Sequence, residues 1–292
     1  MEEAKLADTG FGAGSLPMTG FLETHRSFVN TWECDDNAHM NVQFYFKRFD
    51  EAARFFAGMN GDHMGGPLPR TRHVRYHAEL HAGGIARMRS AIVADGRFCG
   101  HAVHVLDDVE NGRIAATALD APTGFEVAGQ QVSERDIALA LPKGIDPSPA
   151  APMRPVDVLS LGGFVSSRTI VQPMQCDVAG ELLAQGFVGR LSDAAAHTWE
   201  MAGVGIARLR ELGYGRVALE MKLTHHQPAK AGEALLIHSR AIPTGGKALQ
   251  LHHEITRFSD GAPVATAQVV AVILHLKTRK SVAMPLGPHS GT

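Results

Sequence analysis

Polar residues with catalytic potential are concentrated between Trp32 and Asn41, where the chain reads WECDDNAHMN. Asp35, Asn37 and His39 alternate in this segment, directly before a stretch whose apolar residues have helical spacing. A junction of this kind places a carboxylate, an amide and an imidazole beside the free N–H groups of a helix N-terminus. Together they could supply a base or nucleophile, an orienting amide and an acid–base group. On these residues alone, a helix cap followed by a turn remains an alternative.

The second half of the chain contains a related segment, which indicates an internal repeat. At a constant offset of 142 residues, the identical pairs include Cys34 with Cys176, Asp35 with Asp177, Gln43 with Gln185, Arg48 with Arg190, and Ala52 and Ala53 with Ala194 and Ala195. Further along, RYHAELHAGG from Arg75 aligns more loosely with THHQPAKAGE from Thr224 at an offset of 149. The identities are few, but they favour a duplication.

Each half has the same order of predicted elements. An extended run comes first, then a helical segment with apolar residues every three or four positions, such as Tyr45, Phe49, Ala52 and Phe56. About four strand-like runs follow, separated in several places by glycine-containing turns. One helix and an antiparallel meander indicate an α+β fold. The second half is expected to help cover the sheet face or edge that a single helix leaves open.

Length and composition fit two globular domains. The chain has 292 residues, 45% of them hydrophobic, and a formal charge of −2. We predict a flexible segment over residues 1–20, domains over 21–120 and 156–292, and a Pro-rich linker over 121–155. The charge balance argues against a nucleic-acid partner. No apolar run is long enough to cross a membrane, and three scattered cysteines and the lack of a secretory signal predict a cytoplasmic protein.

The segment DDNAHMN resembles two related motifs: the D-x-N-x-H-V-N box of the plant-type acyl-ACP thioesterases, and the D-x-x-G-H-x-N box of the 4-hydroxybenzoyl-CoA thioesterase-like family. The resemblance implies two tandem hotdog domains, each a long central helix wrapped by an antiparallel sheet. It also implies that Asp35, Asn37 and His39 are catalytic. Glu79 joins them, because Tyr76-His77-Ala78-Glu79 matches the Y-R-R-E strand of the acyl-ACP enzymes. One departure is Ala38, where many members have glycine.

The second half departs further from the motif. Asp177 and Gly180 are kept, but Glu181 replaces the histidine and Pro228 replaces the glutamate. We therefore expect one working site and one degenerate copy that serves as the partner in a pseudo-dimer. A second site using Asp177 and Glu181 is the alternative.

Three other residues are predicted to contact the substrate. Arg75 could meet the phosphates of coenzyme A, although a solvated edge fits it equally well. His77 could approach the substrate channel, and Tyr45 could bound an acyl pocket. His73, His77 and His81 recur every four residues, but nearby cysteines and carboxylates that would support zinc are lacking, so we expect no metal. His252 and His253 are neighbours on one predicted strand, so at most one of them lines a site.

The resemblance implies hydrolysis of an acyl thioester, with acyl-CoA favoured over an acyl carrier protein as the substrate. Coenzyme A would enter as part of the substrate, and no other cofactor is expected. The alternatives are a hotdog enoyl-CoA hydratase or dehydratase, disfavoured because one residue rather than two separates Asn37 from His39, and a non-catalytic acyl-CoA-binding protein. The chain is expected to act as a monomeric pseudo-dimer or as a homo-oligomer of that unit.

Overall fold

A computed structural model of the chain describes residues 20–35, 38–59, 69–122, 130–244 and 246–284. The first repeat contains β1 (Leu22–Phe28), α1 (Val42–Met59), β2 (Thr71–Tyr76), β3 (Ile85–Val93), β4 (Ala102–Asp108) and β5 (Arg113–Asp120). The connecting segment contains β6 (Gln131–Val132) and α2 (Pro155–Ser160). The second repeat contains β7 (Phe164–Ile170), α3 (Ala184–Met201), α4 (Ile206–Leu212), β8 (Tyr214–His225), β9 (Ala234–Pro243), β10 (Ala248–Arg257), β11 (Pro263–His275) and β12 (Ser281–Val282). The predicted flexible segment 1–20 lies outside the described residues except for Gly20.

The strands of both repeats form one continuous sheet in the order β1-β3-β4-β5-β2-β8-β11-β10-β9-β7. The two repeats meet where β2 pairs antiparallel with β8, from Thr71 opposite Thr224 to Arg75 opposite Glu220. Each repeat thereby closes the strand edge that the other would leave unpaired. The predicted α+β architecture of two tandem hotdog domains is confirmed.

The two long helices, α1 and α3, pack on one face of this sheet, which we call the inner face, and contact each other. The predicted apolar stripe of α1 is buried, including Phe49 and Ala52 at 0% exposure. Gly189 of α3 permits a close approach of the helices, because a Cβ atom there would lie 2.6 Å from Gln43 Oε1 of α1. One hydrophobic core therefore runs through both repeats.

The opposite face, which we call the outer face, is covered by the connecting segment. Ile137 and Ala140 pack on apolar side chains of the first repeat. Farther along, Glu220 of β8 accepts hydrogen bonds from the N–H groups of residues 143–145, and Lys222 donates to the carbonyls of Asp146 and Ser148. Pairing of β2 with β8 covers the strand edges at the centre of the sheet. The connecting segment covers the outer face, which the single layer of helices leaves open.

Local hydrogen bonds repeat at the same offsets as the sequence. Arg48 of α1 donates to the carbonyl of Phe28 and to the carboxylate of Glu33, both on the segment that leads into the helix. Arg190 of α3 makes the matching bonds to the carbonyl of Ile170 and to Gln175 Oε1. The two arginines fix each helix to the strand that precedes it, and the duplication predicted from their alignment is visible in the coordinates.

Candidate active site

The segment singled out by its polar residues forms a tight loop before α1. Asp35 donates its N–H to the carbonyl of His39 at 2.8 Å, and Asp35 Oδ1 accepts the N–H of His39 at 3.2 Å. Ala38 lies between them at φ +61°, in the left-handed region that favours glycine. The loop therefore holds Asp35 and His39 side by side at the cost of strain at Ala38. Asn37, the third predicted residue of this group, lies outside the described residues.

His39 and Glu79 lie side by side in the structure. His39 Nδ1 lies 3.2 Å from Glu79 Oε1, and Arg279 pairs with the other carboxylate oxygen of Glu79. The ring of His81 packs edge-on against that of His39, with 4.8 Å between centroids. Arg279 lies between β11 and β12, so the second repeat completes a site that the first repeat begins.

The environment of His39 suits a neutral base. Burial lowers the pKa of His39, while the carboxylates of Glu79 and Asp35 act in the opposite direction and limit that shift. At neutral pH the imidazole is then uncharged. Its Nδ1 faces Glu79 Oε1 at 3.2 Å, and the tautomer with the proton on Nδ1, which this carboxylate favours, has its basic lone pair on Nε2. The same two carboxylates stabilise the imidazolium that forms when Nε2 accepts a proton.

One group in the described part of the chain has the composition of a metal site: His39, Glu79 and His81, whose potential ligand atoms lie within 4.8 Å of one another. Arg279 already supplies a positive charge to Glu79, and a cation would compete with it. The predicted histidine series does not converge. His73 bonds to Glu220, His77 bonds to Thr117, and only His81 reaches this group.

The three predicted substrate contacts all border the cavity, Tyr45 from the inner face and both Arg75 and His77 from the side of the connecting segment. Tyr45 is buried, and its hydroxyl accepts the N–H of Leu80. Arg75 is also buried and donates to the carbonyls of Leu139 and Leu141 in the connecting segment, so it is not at a solvated edge. Contacts of Tyr45, Arg75 and His77 with a substrate stay predictions.

Asn41 and Arg279 were not singled out from the sequence. Asn41 Oδ1 accepts the N–H of Gln43 at 3.0 Å and so caps the first turn of α1. Its position one residue before the helical stripe is a typical cap signal. Arg279 carries no comparable signal, because 200 residues separate it from Glu79.

The cavity has a volume of about 2260 Å³; it extends from Asp35, His39 and Glu79 to the inner face of the second repeat, and also to Lys143 and Glu220 beside the connecting segment. Its apolar part lies under α3. The first repeat contributes Met40, Val42, Tyr45 and Tyr76, and the second contributes Val188, Leu191, Trp199, Met221, Leu251 and Val269. A ligand held at His39 can therefore extend into the second repeat.

The equivalent space under α1 is filled by larger and charged side chains. Phe46 and Phe49 occupy the positions of Val188 and Leu191. A buried ion cluster, formed by Asp50, Arg72, His104 and Asp120, takes up the remainder. Arg72 pairs with both aspartates, and His104 Nε2 lies 3.4 Å from Asp120 Oδ2. Of the described residues that line the cavity, none belongs to this cluster.

Charge within the cluster is compensated. Burial opposes ionisation of Asp120, but Arg72 and His104 outweigh it and hold the pKa of that carboxyl well below its usual range. In the second repeat, Met221 and Val269 stand where the first has Arg72 and Asp120. The two halves thus have the same backbone, yet one encloses an apolar cavity and the other an ion cluster.

The second repeat also builds the loop, but without the dyad. Asp177 Oδ1 accepts the N–H groups of Ala179 and Glu181, as Asp35 does for His39. Arg54 of α1 lies 3.5 Å from Asp177 and closes this side. Its counterpart on α3 is Ala196, which lines the open cavity.

Comparisons with known proteins agree with this architecture. The model of the thioesterase-like superfamily matches residues 29–153 and 171–288, once for each repeat. An acyl-ACP thioesterase structure from Bacteroides thetaiotaomicron superposes with a TM-score of 0.59 at 10% identity, covering 86% of this chain and 98% of the other. A 12:0-ACP thioesterase from Umbellularia californica gives 0.54 at 12% identity, with 86% and 94% covered. No curated protein sequence matches the chain. Within the described residues, helices long and apolar enough to cross a membrane are absent.

Proposed function

The chain belongs to the thioesterase-like superfamily, and we propose that it hydrolyses acyl-CoA thioesters to a free acid and coenzyme A. The observation that carries this proposal is the His39–Glu79 pair at the opening of an apolar cavity. A neutral, oriented imidazole can activate water, and the cavity beside it can hold an acyl chain.

In the proposed reaction His39 is the general base. Nε2 takes a proton from water as the water oxygen attacks the thioester carbonyl carbon. Glu79 fixes the ring through Nδ1, and Asp35 and Glu79 stabilise the imidazolium. The carbonyl oxygen becomes negative near the N-terminus of α1, whose dipole favours it. The C–S bond then breaks, and the imidazolium returns its proton to the leaving thiolate.

The proposal of coenzyme A as the carrier is supported by charge at the cavity. Basic side chains outnumber acidic ones among the lining residues. They include Arg87, Arg113, Lys143, Lys247, Arg279 and Lys280. Phosphates and a pyrophosphate fit such surroundings. An acyl carrier protein would present phosphopantetheine to the same opening, so a direct comparison of the two carriers tests this part of the proposal.

We further propose that the first repeat holds the one working site. Glu181 and Pro228 cannot reproduce the pair of His39 and Glu79, and Arg54 occupies the approach to Asp177. Asp177 and Glu181 then serve to shape the loop of the pseudo-dimer partner.

A panel of acyl-CoA and acyl carrier protein thioesters, assayed with a thiol reagent, tests the activity. We expect thiol release from acyl-CoA, and a loss of at least about tenfold in kcat/KM for Asp35→Asn, equivalent to about 1.4 kcal/mol. Asp177→Asn is the matched control and should keep full activity. No thiol release from any thioester, combined with hydration of an enoyl-CoA, would establish the hydratase alternative instead. Binding without turnover would indicate a non-catalytic protein.

Ala196→Arg tests whether an arginine in the position of Arg54 is enough to close the approach to the catalytic loop. The variant places a guanidinium on α3 where Arg54 lies on α1, so it should pair with Asp35 and block entry to the cavity. We expect loss of activity with an unchanged melting temperature, because Ala196 is exposed. Full activity in this variant would mean that the substrate does not pass Asp35.

A further inference from the structure

A buried histidine lies in the acyl cavity, outside the catalytic loop. His253 of β10 is 0% exposed and lines the cavity, and its Nε2 has no hydrogen-bond partner among the described residues. A buried polar atom without a partner is destabilising, and one in a residue that lines a cavity can gain a partner from a ligand. None of the steps assigned to His39 and Glu79 uses this residue.

The hydrogen bonds behind His253 determine which nitrogen carries the proton. Ser166 Oγ donates to the carbonyl of Ile237 at 3.1 Å, because a carbonyl can only accept. Each serine has a single hydroxyl proton, so Ser239 Oγ must donate to Ser166 Oγ at 2.6 Å. Ser239 Oγ is then left to accept from His253 Nδ1 at 2.6 Å. The proton is on Nδ1, and Nε2 is an acceptor.

The counterpart in the first repeat shows what Nε2 lacks. His104 Nδ1 bonds to Ser90, and its Nε2 meets Asp120 of the buried ion cluster. Val269 occupies the position of Asp120 in the second repeat, and it lines the cavity. The carboxylate that faces His104 Nε2 at 3.4 Å is therefore replaced by the apolar side chain of Val269 beside His253.

Water is a poor substitute for that missing partner. A buried water molecule needs two to four polar contacts. Met221, Leu251 and Val269, which line the cavity around this part of the inner face, offer none. Burial also lowers the pKa of His253 to about 3, so the imidazole stays neutral at physiological pH. A neutral acceptor in apolar surroundings is suited to a hydroxyl group that arrives on an otherwise apolar chain.

We propose that His253 Nε2 is a specificity-determining acceptor for a hydroxyl group on the distal part of the acyl chain. This inference rests on the proposed thioesterase function, and it narrows the substrate class to hydroxylated acyl thioesters. The acyl chain would run from His39 under α3 and place its hydroxyl against His253. An unsubstituted chain would leave Nε2 without a partner, and a site built around a hydrogen bond discriminates against such analogues.

Kinetics on matched substrate pairs test the proposal. For each length from hexanoyl to dodecanoyl, kcat/KM is measured for the ω-hydroxyacyl-CoA and for the unsubstituted acyl-CoA. In wild type, we expect the ratio of kcat/KM for the ω-hydroxyacyl-CoA to kcat/KM for the unsubstituted acyl-CoA to peak at one chain length. In His253→Leu, this ratio should be lower by about tenfold or more at that length. Because both members of a pair are tested on the same variant, a general loss of stability cancels in the ratio. An equal ratio in wild type and His253→Leu, with hydrolysis intact, overturns the subsite and leaves the proposed function standing.

Ser239→Ala provides a second variant that keeps the imidazole. Without Ser239 the Nδ1 proton has no acceptor, so the tautomer with the proton on Nε2 becomes accessible. The preference should then move from ω-hydroxyacyl towards ω-oxoacyl chains, which bring an acceptor. An unchanged preference for the hydroxyl would contradict the assigned tautomer and overturn the proposal.

Binding of free acids tests the His253 subsite independently of the proposed thioesterase function. If wild type hydrolyses no thioester, the proposed function fails, and melting temperatures with ω-hydroxy and unsubstituted acids decide the subsite. A larger increase with the hydroxy acid, lost in His253→Leu, supports the subsite. Equal increases overturn it.

Discussion

Chain-length selectivity should depend on α3 and be indifferent to α1. Leu191 lines the cavity, and its counterpart in the first repeat is Phe49. In Leu191→Phe the ring should occupy space that the acyl chain needs. The larger side chain should be tolerated, because Phe49 adopts the same place on α1 and because the added atoms enter a cavity instead of a packed core.

The size of the effect follows from burial. Each methylene moved from water into the cavity contributes about 0.8 kcal/mol, or a factor of about four in kcat/KM. Phe has about three more side-chain carbons than Leu and should exclude about three methylenes. We therefore expect Leu191→Phe to lose roughly 60-fold on the longest chain that wild type accepts, and little on acetyl-CoA.

The assay is a plot of the logarithm of kcat/KM against chain length for saturated acyl-CoA substrates. Phe49→Leu is the matched control, since Phe49 is buried beside the ion cluster and does not line the cavity. It should lower stability and keep the slope of the plot. An equal loss on all chain lengths in Leu191→Phe, or the same flattening in Phe49→Leu, would refute the assignment of the acyl pocket to the second repeat.

Three further predictions concern the loop and its supports. Because burial lowers the pKa of His39, kcat/KM should rise with pH to a plateau with a midpoint below about 6.5, and Glu79→Gln should move that midpoint lower, as a pH profile will show. Ala38→Gly should raise the free energy of unfolding by up to about 1 kcal/mol, whereas Gly180→Ala, at φ +75°, should lower it by about the same amount; urea unfolding measures both. Arg48→Met should cost about 3–5 kcal/mol in the same experiment, because it leaves a buried carboxylate unpaired.

Element order was predictable because it depends on local patterns. The helical stripe through Tyr45 and Phe56 requires only the period of the apolar residues, and α1 spans both. The repeat was visible because Arg48 and Arg190 are needed at one place in each copy. Their bonds to preceding carbonyls explain why these residue types occur at matching positions.

Other features depend on contacts that a local pattern does not contain. Arg279 reaches Glu79 only after the two repeats share a sheet. The connecting segment has little apolar periodicity, yet it supplies backbone N–H groups that hold Glu220. Arg72 and Arg75 belong to the same strand, but alternation sends them to opposite faces, Arg72 to the ion cluster and Arg75 to the connecting segment. Their separate partners could be assigned only with the structure, which shows that the helices cover the inner face and the connecting segment covers the outer face.

The different fates of the two halves follow from how a ligand would occupy the fold. A chain held at His39 would extend under α3, so the proposed working site in the first repeat needs space in the second. The loop at Asp177 would in turn need space under α1. Because that loop has no pair equivalent to His39 and Glu79, the space under α1 need not hold a ligand, and leaving it empty would cost stability. The buried ion cluster around Arg72 fills it. His104 and His253 record this divergence at a single position: Nε2 of the first lies 3.4 Å from Asp120, whereas Val269 replaces that carboxylate beside the second.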